Sequence, residues 1–544
     1  MKIKKAAAFI SSALFLLTSV GCTGKKSETD GKQIREFTGF FAARNNGISD
    51  NNEIQKIIAE KTGAYIKQTW LEDQDDINKI FSDMMISDKY PDFISPDAEN
   101  CQKLIKEGSF IPIDNYWDNY PNIKNLCTDS EWERVRADDG HIYYIPLFSS
   151  TYMKDVDPIH NGEAFWLQVK VLEWAGYPKI KTLDQYFDVI ENYLEANPTD
   201  SDGEPFIGYE IQANDAWFFA IDNPPMFLDG FPNDGCCKVD PETLEAYDYN
   251  LSPTAKRWFS KLNDEYAKGV IDQECFVMSS DQYYSKIASG KVLGMVDQHW
   301  NFDYSTHELP PDCTYIPIGV TIDEGIEEHY HDRTAFNDST GTGISISCND
   351  PEEAVKFLNA LLEPEIHNLR FWGVEGVDYK VGDDGVFYQT DKQKERWNNS
   401  DYIYYHRCGY EYMPYYQGML KDGINAYSPS CQPDAFFDGL SDEVKRCLEA
   451  YGAKTFVELL NEAPENPPWY PMWSFNNAIT NDTDYGKVMK QIDEAKHKYL
   501  PLLVMSSDFE KTWKEYNDVY NDIDTKIYFD ELTAEVHRRT DRSK

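Results

Sequence analysis

The side chains best suited to chemistry in this sequence are aromatic rings set among amides and carboxylates. Trp300 stands in "DQHWNFDY" and Trp217 in "QANDAWFF". A flat indole beside planar hydrogen-bonding groups can take the C–H face of a sugar and its hydroxyls together. Either ring can equally be core, since tryptophan is largely buried in most proteins. Trp70, at the end of "AYIKQTWL", carries the same ambiguity. The stretch "HRCGYEYMPYYQG" (406–418) gathers four tyrosines around Gly409 and Pro414. It has neither helical nor strand period and reads as a loop, with Tyr410 and Tyr412 as candidate binding rings that could equally cover a neighbouring lobe.

Reactive constellations are scarce. No GxSxG, HExxH or GxxxxGK occurs, and "GTGISIS" has glycines but no following lysine. Paired carboxylates for glycoside hydrolysis remain open, because 94 acidic residues allow many pairs. In "PTDSDGEPFIGYE", Asp200, Asp202 and Gly203 fit the Asp-x-Asp-Gly core of a calcium loop. The first-ligand position is Pro198 and the twelfth is Tyr209, so a solvated turn is expected, and no cofactor. His329 and His331 in "EEHYHD" would share one face of a strand, but no metal site is expected there.

The 544 residues carry a net charge of −42, which repels phosphate backbones and makes nucleic acid an improbable partner. Such length predicts two or more lobes. Lys2, Lys4 and Lys5 precede an apolar stretch, Ala6–Leu17, of signal-peptide length and too short to span a bilayer. The run ends at Thr18-Ser19-Val20-Gly21-Cys22. This resembles a bacterial lipobox with Ser19 where leucine is usual, so Cys22 is expected to be lipidated after cleavage at residue 21. "TGKKSETDGKQ" (23–33) reads as a flexible tether. The other ten cysteines are scattered, with Cys236 and Cys237 adjacent, and show neither a disulfide scaffold nor a zinc pattern.

These side chains need elements to position them. "IREFTGFFA" alternates as a strand, "EIQKIIAEKTG" has helical spacing and ends at Gly63, and "AYIKQTWL" is a second strand. "INKIFSDMMIS" is a second helix leading through "KYPDF" to a third strand. This β-α-β-α-β order predicts an α/β lobe with a largely parallel sheet. Ligands meet such sheets beyond the carboxyl ends of the strands. Those ends bring forward the loops around 44–46, 70–72 and 95–97, with Asn45 and Asp97 as polar candidates. Farther on, "NDPEEAVKFLNALLEPEI" is a helix that Asn349 or Asp350 can cap.

Taken in order, "DGHIYYIP", "YAKGVIDQECFV" with "KIASGKVLGM", "CNDPEEAVKFLNALLEPEIHNLRFWGVEGVDYKV" and "FEKTWKEYNDVY" resemble motifs of bacterial extracellular solute-binding proteins of family 1. The resemblance implies a two-lobed α/β fold of the type II periplasmic-binding-protein kind, with the ligand in a cleft between hinged lobes. It places crossings near 148–154 and 335–341 and adds Glu375, in "WGVEG", to the candidates. The expected division is 1–21 signal peptide, 22–33 lipidated cysteine and tether, 34–150 plus about 336–390 for one lobe, and 151–335 plus about 391–544 for the other. It further implies a monomer with no chemistry of its own, held by lipid at the outer membrane face, that passes an oligosaccharide to ABC importer permeases. The alternatives are a surface glycoside hydrolase or lyase with an aromatic cleft, and a same-fold receptor for a peptide or charged polymer.

Overall fold

The computed structural model describes residues 34–45, 47–72, 75–147, 151–152, 155–213, 217–331, 336–464 and 466–542. Cys22, the leader and the tether lie outside the described residues, as do 148–150, 153–154 and 335 of the expected crossings.

The first sheet has the order Ala64–Leu71, Arg35–Arg44, Phe93–Ser95, Gly341–Ile344, Tyr144–Pro146. Its first three strands are parallel, as the alternating β and α signals predict. Gly63 closes helix Glu53–Thr62 at φ +82°, a left-handed turn that glycine adopts without penalty. The strand Gly341–Ile344 enters antiparallel from the far end of the chain, so this sheet is mixed. A Cβ at Gly341 would meet the Ile145 carbonyl oxygen at 2.2 Å, which is why this strand is built of small residues. Helix Pro351–Leu361 follows, capped by Asp350.

The second sheet has the order Tyr315–Ile318, Glu163–Gln168, Val292–Gln298, Ile207–Glu210. Glu163–Gln168 runs antiparallel to both neighbours, while Val292–Gln298 and Ile207–Glu210 are parallel. Each sheet has its own apolar core, so the molecule is two-lobed. Helix Asp484–Met505 and the final helix Lys526–Arg542 pack with the second.

The lobes do not divide the chain where the sequence places the boundary. Cys408, Tyr410, Met413, Tyr416 and Leu420 are buried in the first core, although everything after about 391 was expected in the second lobe. The cause is Arg370. Its buried guanidinium donates to the carbonyl oxygens of Leu361, Gly409, Tyr410, Met413 and Pro414 at 2.7–3.3 Å. Five carbonyl oxygens from distant segments thus converge on one cation and draw the tyrosine loop onto the first lobe. Burial pushes the Arg370 pKa down to about 10, and it remains charged at neutral pH.

Replacing Arg370 with Met strands those oxygens in an apolar setting. The expected loss is about 3–5 kcal/mol of unfolding free energy, with Arg370→Lys recovering only part, measured by urea denaturation.

Candidate functional site

A cleft of about 1050 Å³ lies between the lobes. Its larger wall grows from one edge of the second sheet. The parallel strands Ile207–Glu210 and Val292–Gln298 both point their carboxyl ends there, and Trp217 and Trp300 follow those ends. The antiparallel strand Glu163–Gln168 begins at the same edge, so His160 and Asn161 join them. The facing wall includes Asn337, Tyr415 and Gln417.

Trp217 and Trp300 sit with ring centroids 5.7 Å apart, tilted by 54°. The Trp300 indole N–H donates to Gln298 Oε1 at 2.5 Å, which fixes the ring's orientation. Trp300 is 51% exposed, a large apolar face turned to solvent. Phe218 stacks on His497 at 3.9 Å, and Tyr415 and Tyr427 form a parallel pair at 6.3 Å. The amides of Asn161, Gln298, Gln417 and Asn477 reach the same space.

Among the described lining residues, no cation is left without a carboxylate partner. Lys496 is the only lysine or arginine among the described lining residues. Its ammonium lies 2.6 Å from Asp222 and 3.6 Å from Asp493. Burial opposes its charge, but the two carboxylates outweigh that and hold its pKa above the ordinary lysine value. Burial pushes His160 down to about 3, so it is neutral, with Nε2 donating to the Glu163 carbonyl oxygen at 3.1 Å. Burial pushes Asp157 up to about 6.

Of the candidates read from sequence, Trp217 and Trp300 come together in the cleft. Trp300 stands in the first turn of helix His299–Thr306. Trp70 and Tyr412 also meet, with ring centroids 5.3 Å apart, beside Phe41 at the carboxyl edge of the first sheet. Tyr410 is a core residue. Its buried hydroxyl accepts from the Ile66 N–H at 3.2 Å and from Gln55 at 3.1 Å, so it anchors the loop and presents no ring to a ligand. Asp97 caps helix Ala98–Lys106, accepting from the Asn100 N–H at 3.0 Å. Asn45 closes a turn onto the Gly47 N–H, and Glu375 is exposed in a turn; neither lines the cleft.

His329 and His331 lie in irregular chain, not on a strand. His329 Nδ1 donates to the Gly230 carbonyl oxygen at 2.6 Å. No group of metal-ligating side chains occurs among the described residues. In the degenerate calcium loop, Asp200 Oδ1 accepts from the Asp202 and Glu204 N–H groups, both at 2.9 Å. The Lys291 ammonium lies 3.7 Å from Asp200 and 3.8 Å from Glu204, so an internal cation sits beside these carboxylates.

Sequence reasoning missed Lys496 and His497, which lie on a helix that reads as ordinary charged surface. Gln417 and Tyr415 had a signal: both lie in the tyrosine loop already singled out.

An aromatic, amide-lined cleft between two α/β lobes defines a two-lobed binding protein. The chain belongs to the bacterial extracellular solute-binding proteins, whose family model matches residues 53–377. No curated relative matches it. Among solved structures, calcium-free alginate-binding protein AlgQ2 shares the fold at 16% identity, with 94% of this chain and 100% of that one covered and a TM-score of 0.62. The ABC-transporter substrate-binding protein FusA of Streptococcus pneumoniae, an EF-hand mutant in complex with fructo-nystose, matches at 16% identity over 93% and 99%, with a TM-score of 0.65. An HMO-binding, ABC-transporter-associated protein of Bifidobacterium longum infantis matches at 14% identity over 93% and 99%, with a TM-score of 0.64. No helix among the described residues is long and apolar enough to cross a membrane.

Two measurements test the electrostatics of these sites. The folded chain keeps the Asp157 proton to about pH 6, whereas the unfolded chain releases it near pH 4. Its contribution to stability is therefore present below about pH 4 and lost as pH rises through 6. Asp157→Asn should match the wild-type Tm near pH 4 and exceed it increasingly towards pH 7. In the second, EDTA should leave the wild-type Tm unchanged, because Lys291 neutralises the loop. Lys291→Met should lower Tm in EDTA and regain part of the loss when calcium is added.

Proposed function

We propose that the protein captures a neutral oligosaccharide between its lobes and delivers it to an ABC importer, without chemistry of its own. The observation that carries this reading is the cleft: the exposed indole of Trp300 beside the half-buried Trp217, amides around them, and, among the described lining residues, one lysine already neutralised by Asp222 and Asp493. A polyanion such as alginate would need cations to replace its counterions, and the described lining offers none beyond the already paired Lys496. Neutral sugars need rings and planar hydrogen-bonding groups, which it supplies. Two of the fold relatives are sugar binders without alginate in their names, FusA in complex with fructo-nystose and the HMO-binding Bifidobacterium protein, while AlgQ2 binds alginate. Trp70 and Tyr412, on the first lobe, are the aromatic surface that lobe closure would bring towards the sugar.

In this reading Cys22 is lipidated and holds the receptor, as a monomer, at the outer face of the membrane. Attachment raises its effective concentration near the importer. Mass spectrometry of the mature N-terminus should find acyl chains on Cys22; an unmodified residue removes the anchor but not the capture.

Thermal-shift and calorimetric titration with neutral fructo-, manno- and milk-type oligosaccharides should raise Tm for at least one series and return the sugar intact. Trp217→Ala and Trp300→Ala should each weaken that sugar about tenfold, roughly 1.4 kcal/mol, with little change in stability. Release of reducing ends would overturn the reading in favour of a hydrolase. Tighter binding of alginate than of every neutral series would overturn the neutral-ligand assignment.

A further inference from the structure

We infer that helix His299–Thr306 carries an outer sugar subsite, centred on Tyr304, on which the far end of a long oligosaccharide rests after leaving the cleft. The inference rests on the capture reading above and adds where a longer ligand goes. Trp217 and Trp300 lie 5.7 Å apart in the cleft. Trp300 and Tyr304 are four residues apart on one helix, so they share a face, displaced by about 6 Å along the axis. Tyr304 is 85% exposed.

The direction of the helix makes these rings a path. It starts where strand Val292–Gln298 ends, at the cleft edge of the sheet. The next strand, Tyr315–Ile318, runs parallel to Val292–Gln298, since both are antiparallel to Glu163–Gln168. The connecting helix must therefore run back, away from the cleft. Trp217, Trp300 and Tyr304 thus step from the cleft towards open solvent.

Polar groups border Tyr304 as they border Trp300. The His307 ring lies 5.5 Å from the tyrosine ring, and His307 Nε2 is 3.3 Å from Asp303 Oδ2. A ring face with hydrogen-bonding side chains at its margin suits a sugar unit. A protein partner would instead need a broad apolar patch, and Asn301 and Asp303, between the rings in sequence, are polar.

The test is a length series. Short and long members of neutral fructo-, manno- and milk-type oligosaccharides are titrated calorimetrically into the wild type, Tyr304→Ala, Tyr304→Phe and Trp300→Ala. Tyr304→Ala should weaken long members about fivefold and leave short ones within twofold. Tyr304→Phe should keep the long-chain preference, and Trp300→Ala should weaken both lengths. An equal effect of Tyr304→Ala at both lengths, or none, overturns the subsite while leaving the capture reading intact. A change of oligomeric state in Tyr304→Ala, seen by analytical ultracentrifugation, also overturns it, by making the ring a contact between copies. Failure of every series to bind the wild type overturns the capture reading, and the subsite with it.

Discussion

The geometry of both lobes depends on one buried carboxylate. Asp338 receives Arg134 at 2.8 Å and Arg539 at 3.1 Å, and all three side chains are largely shielded from water. Burial alone would raise the Asp338 pKa, but the two guanidiniums overcome it and hold the group below the ordinary aspartate value. Removing such charges from water costs several kcal/mol each, so the cluster persists only because its hydrogen bonds are nearly complete. Arg539 donates to the Trp469 and Pro471 carbonyl oxygens at 2.9 and 2.7 Å and to Ser474 at 3.0 Å. Glu535 pairs with Arg539 at 2.8 Å and completes the neutralisation. The three principal members come from helix Asp129–Arg134, from the segment entering strand Gly341–Ile344, and from the last helix. The chain's end is thereby tied to the point where it re-enters the first sheet.

That tie gives the cleft a fixed side. Asn337, next to Asp338, lines the cavity, and so do Tyr470 and Asn476, whose neighbours Pro471 and Ser474 bond Arg539. Trp300 stands on the second lobe and Tyr415 on the first, so the cleft has a ring on each wall. Hinge closure lets a bound solute bias a protein towards one lobe arrangement, provided the solute touches both walls. Rings at the cleft rim can do so because their own lobes already orient them.

The first lobe was legible because its signals are local. Gly63 ends a helix, Asp350 begins one, and Ile54 and Ile58 mark a buried face, all within a few residues of what they determine. The tyrosine loop was not, because its place is decided by Arg370, about forty residues away in sequence. Sequence shows four similar tyrosines; only that guanidinium separates Tyr410, turned inward to Gln55, from Tyr415, which borders the cleft. Trp217 and Trp300 were recognisable by ring and neighbourhood, whereas Lys496 was not, since its meaning lies in Asp222, more than 270 residues earlier.

Fold relatives at 14–16% identity keep the lobes while their own names divide among alginate, fructo-nystose and HMO. The structure shows how one scaffold tolerates that spread. Core positions such as Phe37, Trp166 and Trp258 must fill space and change only together. Trp217, Trp300, Gln417 and Asn161 stand on segments beyond the strand ends, where replacement costs little packing. Ligand choice is therefore free to drift while the buried cluster is not: a rim indole exchanged for arginine alters what binds, whereas loss of Asp338 would leave two buried cations facing each other. The charge balance of the described cleft lining, with Lys496 already neutralised, is thus a property of this chain rather than of its fold, and it is on that balance that the proposal of an uncharged ligand rests.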